Sequence, residues 1–140
     1  DLLTRSEGLV ACGLLLGAGG DLDMLFIHPR GALAIEVKTG FGSIQNVNGS
    51  LKVGKRFIPG DATGQVLRQY DGLLRHFPEL AGYSQPVVVI PQGRGQAKVN
   101  GVPVLSNEVL EQQAANLLAP TEVFTPGQIQ AFAKRAKKLT

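Results

Sequence analysis

The stretch that most constrains this 140-residue chain is residues 22–38, where two apolar runs of strand length flank Pro29-Arg30-Gly31. The runs read as one β-hairpin, because Pro29 presets φ for a turn and Gly31 is free to take φ > 0. Side chains alternate along a strand, so Glu36 and Lys38 share one face while Ile35 and Val37 take the other. A two-residue turn at Pro29-Arg30 pairs His28 with Gly31 and sets Asp23 opposite Glu36. A four-residue loop keeps that facing, and a three-residue loop reverses it. With the facing kept, two carboxylates and an amine meet on one face of a sheet. Hard divalent cations such as Mg²⁺ take this ligand type, with one or two carboxylates and the remaining positions left to water and substrate phosphate.

Alone, a Glu-X-Lys at strand spacing describes a solvated face with a cross-strand charge pair. Three features favour a site instead. Glu36 and Lys38 interrupt a strand that is otherwise strongly apolar, and Asp23 interrupts its partner in the same way. Gly19-Gly20 before the hairpin and Thr39-Gly40 after it leave the backbone open around the charged end.

The rest of the chain supplies a scaffold. Residues 9–16 read as a first strand turning through Gly17-Ala18-Gly19-Gly20. Residues 44–47 and 51–53 around Asn48-Gly49 make a short hairpin with primed-turn chemistry. Apolar residues then recur at helical spacing (Ala62, Val66, Leu67, Tyr70, Leu73, Leu74, Phe77), with Asp61 as N-cap, giving a helix over 61–77. Residues 87–90, Val-Val-Val-Ile, form a strand covered on both faces. A shorter strand at 102–105 reads as an edge, because Pro103 cannot donate to a ladder. Ser106 caps a helix through Leu118, and Thr125-Pro126 opens a final helix by cap and N1 proline. The pattern predicts one α/β sandwich domain over 1–140, with a mixed, mostly antiparallel central sheet flanked by helices. At 44% hydrophobic residues, the chain can bury one sizeable core.

No apolar run approaches ~18 residues, so no membrane span is expected. No charged-plus-apolar leader is visible, and a start at Asp1 rather than Met suggests a fragment. The single cysteine, Cys12, excludes an internal disulfide, and its apolar surroundings read as a buried small hydrophobe. That usage fits a reducing cytoplasm. With two histidines and one cysteine, a structural zinc site is not expected. Charge is unevenly placed. Residues 1–40 carry three basic against five acidic side chains, and residues 41–140 carry eleven against six. An acidic pocket in a basic remainder suits a phosphodiesterase, whose metal needs anions and whose substrate backbone needs cations.

Gly20-Asp21-Leu22-Asp23, the hairpin, Ile35-Glu36-Val37-Lys38 and the glycine soon after resemble the PD-(D/E)XK nuclease superfamily, and within it the nuclease-related domain called NERD. Gly42-Ser43-Ile44, Asn48-Gly49-Ser50-Leu51 and Val53-Gly54-Lys55 look like the small hairpin that family places next. Gln65 at the start of a helix, followed by Leu73-Leu74, looks like its recurrent glutamine and leucine positions. The likeness covers about residues 9–118. It implies a restriction-endonuclease-like sandwich and a metal-dependent nuclease acting on nucleic acid, with DNA the expected polymer. Asp23 and Glu36, with the Val37 carbonyl, would hold Mg²⁺ or Mn²⁺. Lys38 would orient or deprotonate the attacking water or stabilise developing charge, and Gln65 would position Lys38 or a phosphate. Glu7 corresponds loosely to an acidic residue on an N-terminal helix of related nucleases, and if the native chain has such a helix, most of it is expected to be missing here.

Weaker candidates have plainer readings. Asp21 shares the face of Asp23 and is a candidate supporting carboxylate. Gln69 and His76 fall on the same helical stripe as Gln65 and read as an exposed polar face. His28 reads as a turn residue. Gly93-Arg94-Gly95-Gln96 lacks the lysine of a phosphate loop and reads as a hairpin turn. The basic run at 134–138 reads as a solvated helix end, with phosphate contact as its other use. The competing function is a catalytically idle nuclease-fold module that binds nucleic acid or a protein partner. Dependence on homo-oligomerisation is a further expectation.

Overall fold

The computed structural model describes residues 8–17 and 20–140. The expectations resting on Glu7, Gly19 and an N-terminal helix lie outside the described residues. In chain order the chain forms β1 (Leu9–Leu15), β2 (Asp21–His28), β3 (Gly31–Val37), β4 (Gly42–Val47), β5 (Ser50–Val53), β6 (Arg56–Phe57) and α1 (Ala62–His76). A single 3-10 turn at Pro78–Leu80 leads to β7 (Ser84–Ile90), β8 (Gly93–Arg94), β9 (Gln96–Val99), β10 (Val102–Ser106), α2 (Asn107–Leu117) and α3 (Pro126–Lys137).

The result is a mixed α/β fold. Six strands make a central sheet in the order β1-β2-β3-β7-β10-β9. The β1–β2, β2–β3 and β10–β9 pairs are antiparallel, while β3–β7 and β7–β10 are parallel. A smaller sheet runs β6-β5-β4-β8. Among the described residues, no helix is long and apolar enough to cross a membrane.

The hairpin at the centre takes the two-residue turn. His28 pairs with Gly31, and the register runs on to Met24 opposite Ile35. Gly31 sits at φ 137°, where an added Cβ would meet the Tyr83 carbonyl oxygen at 2.6 Å. His28 is the buried last residue of β2 rather than a turn residue, and its Nδ1 accepts the Arg30 backbone N–H at 3.1 Å. Arg30 pins the turn to the end of α2, donating through Nε to the Ala119 carbonyl at 2.6 Å.

The two faces of the central sheet are covered differently. Phe26, Leu33, Ile35, Val87, Val89 and Leu105 pack on one face against Leu110 of α2. On the other face, α1 lies across the middle of the sheet. Its Leu73 joins Leu25, Ile27, Ala32 and Ala34 with Phe132 of α3. Its Ala62 and Val66 join Val88, Ile90 and Val104 with Ile44, Leu51 and Val53 of the small sheet. Each helix starts on the cap expected of it: Asp61 accepts Gly64 N at 3.0 Å, Ser106 accepts Val109 N at 3.2 Å, and Thr125 with Gln128 closes a capping box.

Two further expectations are corrected. Strand β10 is not an edge, because β9 lies outside it. Pro103 is tolerated because pairing to β7 begins one residue later, at Val104. Strand β9 itself follows from Asn100-Gly101, whose φ values of 51° and 79° give a second hairpin turn. Cys12 is exposed rather than buried. Strand β1 is an edge with Gly13 at φ 66°, and Leu9 and Ala11 before it and Leu14 and Leu16 after it all reach the same core. The alternation slips by one at that glycine, so Val10 and Cys12 both point away.

Candidate active site

The site forms where β2 leaves β3. The last paired residues are Met24 and Ile35, and the register continued by one step sets Asp23 against Glu36. There a side chain replaces the ladder: Asp23 Oδ2 accepts the Val37 backbone N–H at 2.8 Å. On its other side β3 stays in register with β7, and Lys38 N donates to the Val89 carbonyl at 3.0 Å. Glu36 is therefore carried by a strand held on both sides, and Lys38 follows directly at its end.

The side chains meet as the sequence predicts. Lys38 Nζ lies 3.6 Å from Glu36 Oε1 and donates to Gln65 Oε1 at 3.0 Å. Ile35 and Val37 face the α2 side, so charge and apolar packing separate by strand alternation. Asp23, Glu36, Lys38 and Gln65 are thus brought together. The Val37 N–H is used by Asp23, which fixes the backbone beside the carbonyl assigned to the metal.

Sequence reasoning missed Gln69. It does not lie on an exposed polar face but is fully buried, one helical turn beyond Gln65. Its Nε2 donates to the Asp21 carbonyl at 2.7 Å, which ties α1 to the start of β2 and orients the amide. The signal was present in the spacing. Val66 and Leu73, both fully buried, bracket position 69 on the core-facing side of α1. Asp21 enters the site only through that carbonyl, its side chain being exposed, and His76 is also exposed.

Electrostatically, Glu36 is the unusual group. It is 4% exposed, and its Oε2 has no hydrogen-bond partner among the described residues. Burial raises its pKa above the ordinary carboxyl value, and the charge of Asp23 raises it further. The Gln69 amide and the Lys38 ammonium oppose that rise without cancelling it. Gln69 Oε1 is likewise buried and unpartnered. A buried carboxylate oxygen without a donor costs free energy unless a proton or a cation satisfies it.

The donor set fits a hard cation. Among the described residues there is no group of three or more His, Cys, Asp and Glu side chains arranged to hold a metal. What is present is two carboxylates, Asp23 and Glu36, the second with one buried oxygen that no hydrogen bond satisfies among the described residues. That set suits an ion that keeps several waters and takes one or two protein carboxylates, as Mg²⁺ does, and does not suit a closed zinc cage. Comparison with known proteins finds no matching family model, no similar curated protein and no similar solved structure.

Proposed function

We propose that this chain is a metal-dependent phosphodiesterase that cleaves nucleic acid, with DNA as the expected polymer. Its β2–β3 site follows the PD-(D/E)XK pattern, on a restriction-endonuclease-like sandwich of the NERD type. One observation carries the reading. Two carboxylates, an ammonium and an amide converge at a strand divergence, and the buried carboxylate is left short of one partner. The Asp23 charge adds to the cost of ionising the buried Glu36, a cost that a bound cation would relieve.

Asp23 and Glu36 would hold the cation, Mg²⁺ or Mn²⁺, with the Val37 carbonyl beside them. When bound, such an ion supplies charge withdrawal from a phosphate oxygen and acidification of a water. The chain's own residues do the positioning. Lys38 Nζ, already donating to Gln65 and facing Glu36, has donor hydrogens to orient a water and to stabilise the charge that develops on the phosphate. Gln65 fixes the reach of that ammonium from the first turn of α1. Gln69, tied to the Asp21 carbonyl, brings an amide that favours the ionised form of Glu36.

The test is to incubate the protein with labelled single- and double-stranded DNA and RNA in Mg²⁺, Mn²⁺ or chelator. Cleavage should require a divalent ion and vanish in Asp23→Asn and Glu36→Gln. The melting temperature of the wild type should rise with millimolar Mn²⁺ or Mg²⁺, because bound cation relieves the repulsion of the two carboxylates. Both variants should fold and lose that rise. A metal-insensitive melting temperature with no cleavage would leave the idle-binder reading in place.

A further inference from the structure

The groove next to the site carries an unusual surface. Residues 39–42 run directly on from Lys38 and lie against the β5–β6 turn, enclosing an open groove of about 520 Å³ between Thr39 and Pro59. Two large aromatic side chains stand out of it into solvent, Phe41 at 73% and Phe57 at 53% exposure. Neither belongs to any of the three core clusters. Cations accompany them: Lys55 and Arg56 line the groove and are exposed, and Lys52 Nζ lies 5.6 Å from the centre of the Phe57 ring. Among the described residues, no acidic side chain lines the groove.

The backbone that presents Phe41 is fixed. Gly54, at φ 62°, donates its N–H to the Ser43 carbonyl at 2.9 Å, and a Cβ there would collide with the Phe41 carbonyl oxygen. A Cβ on Gly42 would meet Gly54 Cα at 2.7 Å, and one on Gly40 would meet Val53 Cγ1 at 2.9 Å. Three glycines thus let the two segments touch, and the aromatic side chains are held out from a rigid base.

We propose that Phe41 and Phe57 form a stacking platform for unpaired bases, with Lys52, Lys55 and Arg56 neutralising the phosphates, so that the site is fed by single-stranded nucleic acid. Exposed aromatic faces interleaved with cations bind single strands without sequence preference, because every base has a π-face and every nucleotide a charge. In a duplex the bases are already stacked on each other, and only the cations retain a partner. The proposal deepens the nuclease reading and rests on it for the direction of the strand, from the platform through Thr39 to Lys38 and Glu36.

Binding is measured without cleavage, by fluorescence anisotropy of a labelled 12-nucleotide single strand and its duplex in chelator. Wild type should bind the single strand at least several-fold more tightly than the duplex. Phe41→Ala and Phe57→Ala should each weaken single-strand binding roughly 10-fold and leave duplex binding unchanged, with Phe57→Trp restoring it. Both side chains are exposed, so the variants keep the fold. Equal affinity of wild type and both alanine variants for the single strand would overturn the platform, as would absence of single-strand binding. So would a concentration-dependent dimer of the wild type that both variants abolish, which would assign the surface to self-association. Single-strand binding that needs both rings, without metal-dependent cleavage, keeps the platform and removes the catalytic reading. Metal-dependent cleavage at wild-type rate by both variants does the reverse.

Discussion

At the scale of single residues, the site is a balance around Glu36. Lys38 and Gln69 draw its carboxyl towards ionisation, and burial and Asp23 push it the other way. Two predictions follow from this balance. Lys38→Met keeps the aliphatic stem over the sheet and removes only the ammonium, so folding should survive. Cleavage should drop about 10²-fold or more, the scale of one lost positioned group, while metal-induced stabilisation persists. Single-turnover rates of wild type and variant check it, and a rate within a few-fold of wild type would remove Lys38 from the chemistry. The second prediction concerns pH in metal-free buffer. Because Glu36 holds its proton to higher pH in the fold than its ordinary value of 4.5, the native state binds more protons than the unfolded chain between those two values. Stability contributed by this group therefore falls as pH rises through that window and stays lower above it. Glu36→Gln removes the loss. The variant should melt above wild type at neutral pH, and the gap should shrink near pH ~4, as paired thermal melts in chelator would show.

At the scale of elements, the hairpins carry the geometry, and their glycines are not equivalent. Gly49 in the β4–β5 turn sits at φ 85° with open space where a Cβ would go. Gly54 sits at φ 62° against the Phe41 carbonyl. Gly49→Ala should therefore cost about 1 kcal/mol, the conformational term alone. Gly54→Ala adds the collision and should cost about 1–3 kcal/mol more while displacing Phe41. Denaturant midpoints of the two variants give the comparison, and equal losses would show that the close approach of the two segments is not held in solution. The same reasoning explains an element that sequence reading passed over. Asn100-Gly101 has the chemistry of Asn48-Gly49, but Lys98 and Gln96 on its N-terminal side give too little apolar content to declare a strand. Strand β9 forms because β10 offers it an edge.

At the scale of the molecule, the helix that closes the fold also absorbs part of the basic tail. Phe132 of α3 is buried against Phe124 and Phe77, with ring centres 5.1 and 6.2 Å away. Arg135 in the same helix stacks its guanidinium 4.6 Å over Phe77 and pairs with Glu79 at 2.6 Å, so one of the basic residues at 134–138 is committed to structure. Phe132→Ala should cost about 3–5 kcal/mol, a large part of the ~5–15 kcal/mol that holds a domain of this size. Arg135→Ala should cost only about 1 kcal/mol, because its ion pair is half exposed and the stacking on Phe77 and the hydrogen bond to the His76 carbonyl supply the rest. Urea unfolding of the two variants would show whether α3 is anchored by its apolar face or by its charges.

The sequence by itself determined the elements whose signals are local. The central hairpin follows from Pro29-Arg30-Gly31, though its two-residue turn and hence its register were settled only by the fold, the helix starts follow from Asp61, Ser106 and Thr125, and the shared face of Glu36 and Lys38 follows from strand alternation. Asp23, Glu36, Lys38 and Gln65 were legible as a set because three of them lie on one hairpin and the fourth was singled out by its resemblance to a recurrent helical glutamine. Only the tertiary structure decided the rest. That Gln69 is buried, that Cys12 is exposed, that β10 is covered and that Phe41 and Phe57 line one groove each depend on which element packs beside them. Periodicity tells which residues share a face. It does not tell whether another layer covers that face, because covering is done by segments distant in the chain.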